Sequence, residues 1–267
     1  MLDTRRVTTG KVSIVGHRGA IECAPENTLA AFSEGLAQGA DIIELDVQLS
    51  ADGQVVVFHN EWLDKTTNGR GRMTDKTLAE LKALDAGSWF DERFAGEPIP
   101  TLKEALTWAK GRVPLFVELK YSEYVDLAAQ LAQVRSNKKE IVHDEALAAA
   151  VVAQIAAQGM ADQVMVISFN YRALHQVWLR APGLATGALY GLPVADPVEL
   201  ARAIGANALM PMHYLVTPEF VALCHAAGLA VHTWGPMADY AALSAAGVDC
   251  MNADHPAQVR RDFMEGQ

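Results

Sequence analysis

The sequence predicts a TIM-type (β/α)8 barrel, an α/β fold in which eight parallel strands close into a ring. Short β-rich runs alternate with longer runs rich in Ala and Leu, and this alternation indicates a parallel sheet with helical crossovers. The chain has 267 residues, and about 250 residues are typical of one such barrel. A doubly wound open sheet is the alternative fold. No glycine-rich phosphate loop follows a strand, and this disfavours a nucleotide-binding function.

The individual elements follow from local composition and turn residues. The motif Pro25-Glu-Asn-Thr starts a helix that continues to about residue 38, where Gly39 ends it. The turn residues Ser50-Ala-Asp-Gly separate two strands. Strands are predicted at residues 12–16, 41–49, 54–59, 113–120, 163–169, 184–190, 208–211, 230–234 and 248–252, and further helices at residues 101–110, 144–158 and 171–180.

Two segments interrupt the alternation. Residues 60–100 separate a strand from its helix by far more than the usual βα loop, and they carry Trp62, Trp89 and Phe90. We expect them to form a compact insertion over one end of the barrel, within a single domain that spans residues 1–267. Residues 121–143 form a second extension, for which the composition predicts a helix over residues 123–133.

Composition and charge exclude several classes of protein and partner. Hydrophobic residues make up 51% of the chain, which is enough for a core and excludes a disordered chain. The net charge of −10 repels nucleic acid and anionic membrane surfaces. No apolar stretch approaches the length of roughly 18 residues that indicates a membrane helix, and no signal peptide is visible. Three cysteines without disulfide or zinc spacing fit a reducing compartment, so we expect a cytoplasmic location.

One predicted strand carries two carboxylates on the same face. Side chains alternate between the faces of a strand, so Glu44 and Asp46 lie on one side of the strand at residues 41–49. An antiparallel strand with one wet face would explain this pattern, but parallel strands are covered on both sides. Two buried carboxylates repel each other unless a positive charge lies between them, and an all-oxygen site favours Mg²⁺ or Ca²⁺. The pair alone leaves metal binding and the wet strand both open.

A second predicted strand, at residues 113–120, ends in a similar way. Glu118 and Lys120 share one face at its carboxyl end, and barrel enzymes place their active sites at that end of the strands. A weak and functionally silent surface ion pair is the alternative. Because two strands end in charged residues of this kind, we disfavour that alternative.

Two histidines and an arginine complete the set of polar residues at strand ends. His17 and Arg18 close the first strand, and His59 closes the third. Imidazole has a reference pKa of about 6.5, which suits proton transfer near neutral pH, and a guanidinium suits bidentate contact with an anion. We expect structural roles for the other histidines, which are His143, His175, His213, His225, His232 and His255. With a bound cation, the set predicts metal-assisted phosphoryl chemistry.

At these residues the sequence closely resembles the glycerophosphodiester phosphodiesterase family, and the matches run in order along nearly the whole chain. None of the motifs is specific alone, but several are specific together. The matching elements are Gly16-His-Arg-Gly-Ala, Pro25-Glu-Asn-Thr, Glu44-Leu-Asp-Val, Asp52-Gly, Val57-Phe-His, Thr66-Thr-Asn-Gly, Leu84-Asp-Ala-Gly-Ser-Trp-Phe, Ile99-Pro-Thr-Leu, Val117-Glu-Leu-Lys, Ser168-Phe and Asp254-His-Pro.

The resemblance implies a TIM barrel with a small insertion after the third strand, which is where residues 60–100 lie. It implies that a small-molecule glycerophosphodiester is hydrolysed to sn-glycerol 3-phosphate and an alcohol, with one divalent cation, Mg²⁺ or Ca²⁺. Two routes are open. Water attacks the phosphorus directly, or a substrate hydroxyl attacks first and gives a cyclic phosphate that water then hydrolyses. The implied roles are metal ligands at Glu44, Asp46 and Glu118, an acid/base pair at His17 and His59, substrate contacts at Arg18, Lys120 and Trp234, and either metal contact or loop bracing at Glu26.

Two positions depart from the pattern of the family. The family usually has Asp after the second histidine, where this chain has Asn60, and this bears on how His59 is oriented. A run that is usually similar to Trp-Thr-Val-Asn is Trp234-Gly-Pro-Met here, so the polar contacts to the glycerol or head group differ. Neither change removes a predicted ligand or proton carrier.

Two other functions compete with the main prediction. The first keeps the site but takes lysophospholipids, as a lysophospholipase D does, or a specialised sugar phosphodiester. Trp62, Trp89 and Phe90 motivate it, although packing of the insertion explains them more simply. The second is a non-catalytic barrel that binds a phosphorylated ligand, and the complete chemical set disfavours it. The sequence does not predict the oligomeric state.

Overall fold

Eight parallel strands close into a barrel in the computed structural model, which describes residues 1–120, 142–236 and 238–265. The strands of the described residues are β1 (Ser13–Gly16), β2 (Ile42–Leu49), β3 (Val55–Val57), β4 (Leu115–Leu119), β5 (Val164–Ser168), β6 (Ala185–Tyr190), β7 (Ala208–Pro211), β8 (Ala230–Thr233) and β9 (Cys250–Ala253). All except β3 are parallel to their neighbours, and β1 pairs with both β9 and β2, which closes the ring. The predicted TIM barrel is confirmed.

Helices connect most of the strands. They are α1 (Arg6–Thr9), α2 (Leu29–Ala37), α3 (Leu78–Lys82), α4 (Leu102–Ala109), α5 (Val142–Gln158), α6 (Tyr171–Arg180), α7 (Pro197–Ile204), α8 (Pro218–Ala226), α9 (Tyr240–Ala246) and α10 (Pro256–Glu265). The bounds of α6 and β7 are those that the sequence predicts, whereas the helix predicted over residues 123–133 lies outside the described residues. None of the described helices has the length and apolar character needed to cross a membrane.

The third strand is not part of the ring, which differs from the simple alternation that the sequence suggests. Among the described strands, β3 pairs with β2 alone and runs antiparallel to it, with Val57 opposite Val47. β2 therefore extends beyond the barrel. After a turn at residues 50–53, the chain returns beside β2. This return brings Phe58 back to the level of Asp46, whose carbonyl accepts a hydrogen bond from the Phe58 backbone at 2.9 Å.

The two faces of each barrel strand have different surroundings. On β2, Ile43, Leu45 and Val47 belong to the large apolar core between the barrel and its helices. Ile42 belongs to a second apolar cluster inside the barrel. The inner face of the same strand carries Glu44 and Asp46, as the alternation predicts. The carboxylates therefore lie inside the barrel, where only a compensating charge can offset their burial.

The segment at residues 60–100 has a small apolar cluster of its own. Leu63, Met73, Leu81 and Ile99 are buried there and pack with Phe58 from the chain after β3. α3 starts with a capping box, in which the Thr77 hydroxyl accepts from the Glu80 backbone and the Glu80 carboxylate accepts from the Thr77 backbone. Because this cluster includes the residue before His59, packing of the segment contributes to the position of that histidine.

Candidate active site

Three carboxylates meet inside the barrel at the carboxyl ends of β2 and β4. One oxygen from each of Glu44, Asp46 and Glu118 lies within 4.8 Å of the others, and the three residues are only 4%, 1% and 8% exposed. The pairing of β2 with β4 places Asp46 directly beside Glu118. The parallel register thus brings together the three residues that the family resemblance implies as metal ligands.

Burial and mutual repulsion perturb this cluster strongly. Burial, with the neighbouring charge of Asp46 next in importance, raises the pKa of Glu44 to about 8. Burial also raises the pKa of Glu118. For Asp46 burial acts in the same direction, but the positive charge of Lys120, together with the interactions with His59 and Arg18, prevails and lowers its pKa to about 2. Three oxygen donors that destabilise one another in this way fit a hard divalent cation, because its charge would offset the repulsion.

Two basic side chains border the carboxylates. The Lys120 ammonium lies 2.8 Å from a Glu118 oxygen and 3.5 Å from an Asp46 oxygen. The Arg18 Nε lies 3.2 Å from Asp46, and its Nη1 donates to Glu26 at 3.1 Å. These contacts fix both cations at the edge of the cluster, where they provide positive charge for an anionic group.

The loop after β1 is held in an unusual backbone conformation. Arg18 and Asn27 have positive φ angles of 46° and 61°, which are uncommon for residues with a side chain. The Arg18 backbone donates to Glu44 at 2.9 Å, and the Asn27 side chain donates to Asp46 at 2.8 Å. A side chain at Gly19 would lie 2.4 Å from the Ala31 backbone, so only glycine permits this close approach to α2.

His17 is paired with a carboxylate from the last strand's loop. Its Nδ1 lies 2.5 Å from Oδ1 of Asp254, and its backbone donates to Ala253 at 3.0 Å. Burial acts to lower the pKa of His17, but the hydrogen bond to Asp254 and the charge of Glu44 outweigh burial and raise it overall. The pairing favours the imidazolium form and leaves Nε2 as the atom that can exchange a proton with a ligand.

His59 has the opposite electrostatic environment. Its Nδ1 is 3.4 Å from the amide oxygen of Asn60, and the carbonyls of His59 and Asn60 each accept from the side chain of Gln48 at 3.2 Å. Burial lowers the pKa of His59 to about 4; the charge of Asp46 opposes this, and the charges of Lys120 and Arg18 reinforce it. His59 is therefore neutral near neutral pH and able to accept a proton.

A cavity of about 620 Å³ joins these groups. Its lining includes His17, His59 and Trp234. The Trp234 indole donates to the Met210 carbonyl at 2.9 Å and packs edge-on against Phe169, with ring centroids 5.2 Å apart. The remaining predicted residues that line it are Arg18, Glu44, Glu118 and Lys120. Asp46 is not among the lining residues, although it lies within the carboxylate cluster.

The structure also shows the contacts of Asp254, to which the sequence assigned no role, and of residues whose role the sequence left open. Asp254 lies within a matching motif, yet its contact with His17 depends on ring closure between β1 and β9. Glu26 lies outside the carboxylate triad and accepts hydrogen bonds from Arg18 and, at 3.4 Å, from Asn60, so it braces the loops. At the second departure, Gly235 and Pro236 line the cavity, while Met237 lies outside the described residues.

Comparison with known proteins identifies the family of the chain. The model of the glycerophosphoryl diester phosphodiesterase family matches residues 17–258. The chain belongs to this family. A glycerophosphodiester phosphodiesterase from Caldanaerobacter subterraneus subsp. tengcongensis is 36% identical over 248 residues, which are 92% of this chain and 95% of the relative. The family resemblance proposed from the motifs is confirmed.

Solved structures of phosphodiesterases have the same fold. A phosphodiesterase from Oleispira antarctica, solved in complex with the product sn-glycerol-3-phosphate, has a TM-score of 0.82 and 29% identity, covering 96% of this chain and 98% of that one. A glycerophosphodiester phosphodiesterase from Agrobacterium tumefaciens has a TM-score of 0.75 and 32% identity, covering 96% of this chain and all of the other, 100%.

Proposed function

We propose that the protein hydrolyses glycerophosphodiesters to sn-glycerol 3-phosphate and an alcohol in the cavity at the carboxyl end of the barrel. The observation that carries this proposal is the convergence of a buried carboxylate triad, two cations and two histidines in a member of this family. The related Oleispira antarctica enzyme, solved with sn-glycerol-3-phosphate bound, supports the same product here.

The carboxylates Glu44, Asp46 and Glu118 would hold one divalent cation, Mg²⁺ or Ca²⁺. Their oxygens are hard donors with the mutual spacing that such an ion needs. When bound, the cation supplies a Lewis acid for the phosphoryl oxygens. Arg18 and Lys120 would contact the remaining phosphate oxygens, and Trp234 would form an apolar wall beside the substrate.

We assign the general acid to His17 and the general base to His59. His17 is paired with Asp254, which stabilises its protonated form, and its Nε2, which has no hydrogen-bond partner among the described residues, can protonate the departing alcohol oxygen. His59 has no carboxylate partner among its described hydrogen bonds and lies near two cations, so it can accept a proton from the nucleophile. The bond from phosphorus to the alcohol oxygen breaks, and the proton from His17 stays on that alcohol.

Two nucleophiles satisfy this arrangement. Direct attack of water on the phosphorus atom would give sn-glycerol 3-phosphate in one displacement, whereas attack by a glycerol hydroxyl would first give a cyclic phosphate that water then opens. In both routes His59 removes the proton from the attacking oxygen. A search for the cyclic phosphate during a single turnover distinguishes them.

The aromatic residues that motivated a lysophospholipid substrate lie elsewhere. Trp62 and Trp89 are 52% and 41% exposed, and Phe90 packs against Trp89 and Phe94. The described cavity is lined by none of these three aromatic residues. Packing within the segment at residues 60–100 accounts for Phe90, so the shorter glycerophosphodiesters remain the proposed substrates.

The setting of the enzyme follows from the same proposal. We place it in glycerol and lipid metabolism, since its product is sn-glycerol 3-phosphate. Cys23, Cys224 and Cys250 are free thiols, and burial raises the pKa of Cys224 to about 12. Free thiols fit the reducing cytoplasm, and labelling with a thiol reagent in intact cells and lysates tests this location.

An activity matrix tests the proposed function. Protein stripped with EDTA is supplied with Mg²⁺ or Ca²⁺ and assayed with glycerophosphocholine, glycerophosphoethanolamine and lysophosphatidylcholine. We expect release of sn-glycerol 3-phosphate from the first two only after a cation is restored, and none from Glu44→Gln. Restored cation without turnover of any glycerophosphodiester would contradict the proposal, and preference for lysophosphatidylcholine would favour the lysophospholipase alternative.

A further inference from the structure

The inner end of the cavity has a polar floor, formed by His232 and Asn252. Both residues line the cavity. His232 is only 1% exposed. Within the part of the chain that the structure describes, His232 Nδ1 and Asn252 Oδ1 are buried atoms with no hydrogen-bond partner. Unpaired buried polar atoms cost free energy, so these two point to a ligand that supplies the missing partners.

The His232 ring is held from two sides. Its Nε2 lies 2.7 Å from the Thr4 hydroxyl, in the segment that precedes α1. Its plane stacks on Phe116, with ring centroids 5.0 Å apart and an angle of 8° between the planes. With Nε2 engaged, Nδ1 is the ring nitrogen left for a ligand, and its position is fixed before any ligand binds.

The polar floor adjoins the proposed reaction centre. Phe116, on which His232 stacks, is in register with Glu44 on β2 and lies one inward-facing position before Glu118 on β4. Asn252 is in register with Val15, two residues before His17. A group bonded to a phosphate held by Arg18 and Lys120 can therefore extend inward along this side of the barrel.

The rest of the inner cavity is apolar. Ile167, Leu189 and Met210 line it and belong to the apolar cluster inside the barrel. The cavity thus combines an apolar wall with hydrogen-bonding atoms on one side. A short carbon chain that carries hydroxyl groups matches both features, since its C–H groups can face the wall while its hydroxyls meet the polar floor.

The other end of the cavity is open to solvent. Glu22 and Asp262 line it there and are exposed. Asp254, the partner of His17, has a side chain that is 38% exposed. Alcohol groups of different size can be accommodated only at this open mouth, whereas the enclosed inner end suits a part of the substrate that does not vary.

We propose that the polar floor binds the hydroxyl groups of the glycerol moiety, so that glycerol lies inward and the departing alcohol faces the mouth beside His17. This inference rests on the proposed function, because it orients that substrate. It makes His232 a residue that selects for a hydroxylated three-carbon group, a role separate from acid/base catalysis and from metal binding.

Binding of two matched ligands tests the polar floor. sn-Glycerol 3-phosphate and n-propyl phosphate have the same carbon chain and phosphate, but only the first has hydroxyls. Their dissociation constants are measured by calorimetry at saturating Mg²⁺ for the wild-type protein and variants. We expect His232→Gln to lower the preference for sn-glycerol 3-phosphate about tenfold, the scale of one hydrogen bond, while the affinity for n-propyl phosphate stays unchanged.

Two further replacements separate a ligand contact from a structural effect. Asparagine places its polar atom near the position of Nδ1 and glutamine places it near Nε2, so His232→Asn should retain more of the preference than His232→Gln. Asn252→Leu, which has a similar size but lacks the amide, should also weaken the preference. Met165→Leu, in the barrel core but outside the cavity lining, is the control and should retain it.

An unchanged preference in both His232→Gln and Asn252→Leu would overturn the proposal, as would an equal loss of affinity for both ligands. These outcomes are independent of the proposed function, which is measured as turnover of glycerophosphocholine by the wild-type protein. A protein that selects sn-glycerol 3-phosphate through His232 but turns over no diester would leave the polar floor supported as a binding site and contradict the proposed reaction.

Discussion

His17 and Asp254 are 237 positions apart in the chain, yet their side chains are in direct contact, with 2.5 Å between Nδ1 and Oδ1. The contact exists because β1 pairs with β9 and closes the barrel. The hydrogen bond from His17 lowers the pKa of Asp254, and Asp254 in turn helps to raise the pKa of His17. Closure of the fold thus sets the protonation state of a proposed catalytic group.

Replacing Asp254 by Asn tests this coupling. His17 acts as an acid in our proposal, so activity is lost as the pH rises through its pKa. Asp254→Asn removes the carboxylate that raises this pKa, and we expect the alkaline limb of the kcat/KM profile to move to lower pH. We also expect kcat/KM to fall at least about tenfold.

The exposed Asp162, which precedes β5, provides a matched control. Asp162→Asn removes the same charge at the opposite end of the barrel and should leave the profile unchanged. An alkaline limb that stays in place in Asp254→Asn would exclude His17 as the group that titrates there.

Asn60 provides a prediction of opposite direction for His59. As a base, His59 must be neutral, so activity appears as the pH rises through its pKa, which burial holds at about 4. A carboxylate at position 60 would stabilise the imidazolium, so Asn60→Asp should move the acidic limb of kcat/KM to higher pH. Asn60→Ala, which removes the 3.4 Å contact without adding charge, should not. If the two variants have the same acidic limb, the assignment of His59 as the base fails.

The limits of prediction from sequence are physical. Alternation along β2 is local, so the shared face of Glu44 and Asp46 was predictable, and the parallel strand pattern predicted that Glu118 would join them. Asp254 was not assignable, because its contact with His17 depends on ring closure over the whole chain. His232 was expected to be structural, since nothing local shows that one of its nitrogens is engaged and the other has no described partner.

Loss of either proposed proton carrier should affect turnover rather than folding. We expect His17→Ala and His59→Ala to lower kcat by about 10²- to 10⁴-fold, the usual contribution of general acid–base catalysis. His175→Ala, on the barrel's outer helix α6, is the control and should retain wild-type kcat. Steady-state assays with glycerophosphocholine at saturating cation give these values, and melting temperatures confirm that each variant is folded. Full activity in either site variant would remove that histidine from the mechanism.

The carboxylate triad should bind a cation in a way that is measurable without activity. A ligand present at one hundred times its Kd stabilises the folded state by about 2.7 kcal/mol, which corresponds to a rise in Tm of about 5–10 °C for a domain of this size. We expect this rise with Mg²⁺ or Ca²⁺ in the wild-type protein and its loss in Glu118→Gln. The amide keeps the shape of the side chain but lacks the charge. Equal shifts in both proteins would place the cation elsewhere.

We propose that residues 60–100 fold as part of one domain with the barrel, and Leu81 provides the test. Its side chain is fully buried, at 0% exposure, in the cluster that contains Phe58, the residue before His59. Leu81→Ala should lower the free energy of unfolding by about 2–5 kcal/mol, as expected for a large-to-small change in a core. Ala79→Ser, at an exposed position of the same helix, should have little effect. Calorimetry should show one transition that moves as a whole in Leu81→Ala, because the cluster is continuous with the chain that carries His59. A separate early transition, with the main one unmoved, would mean that the segment folds independently.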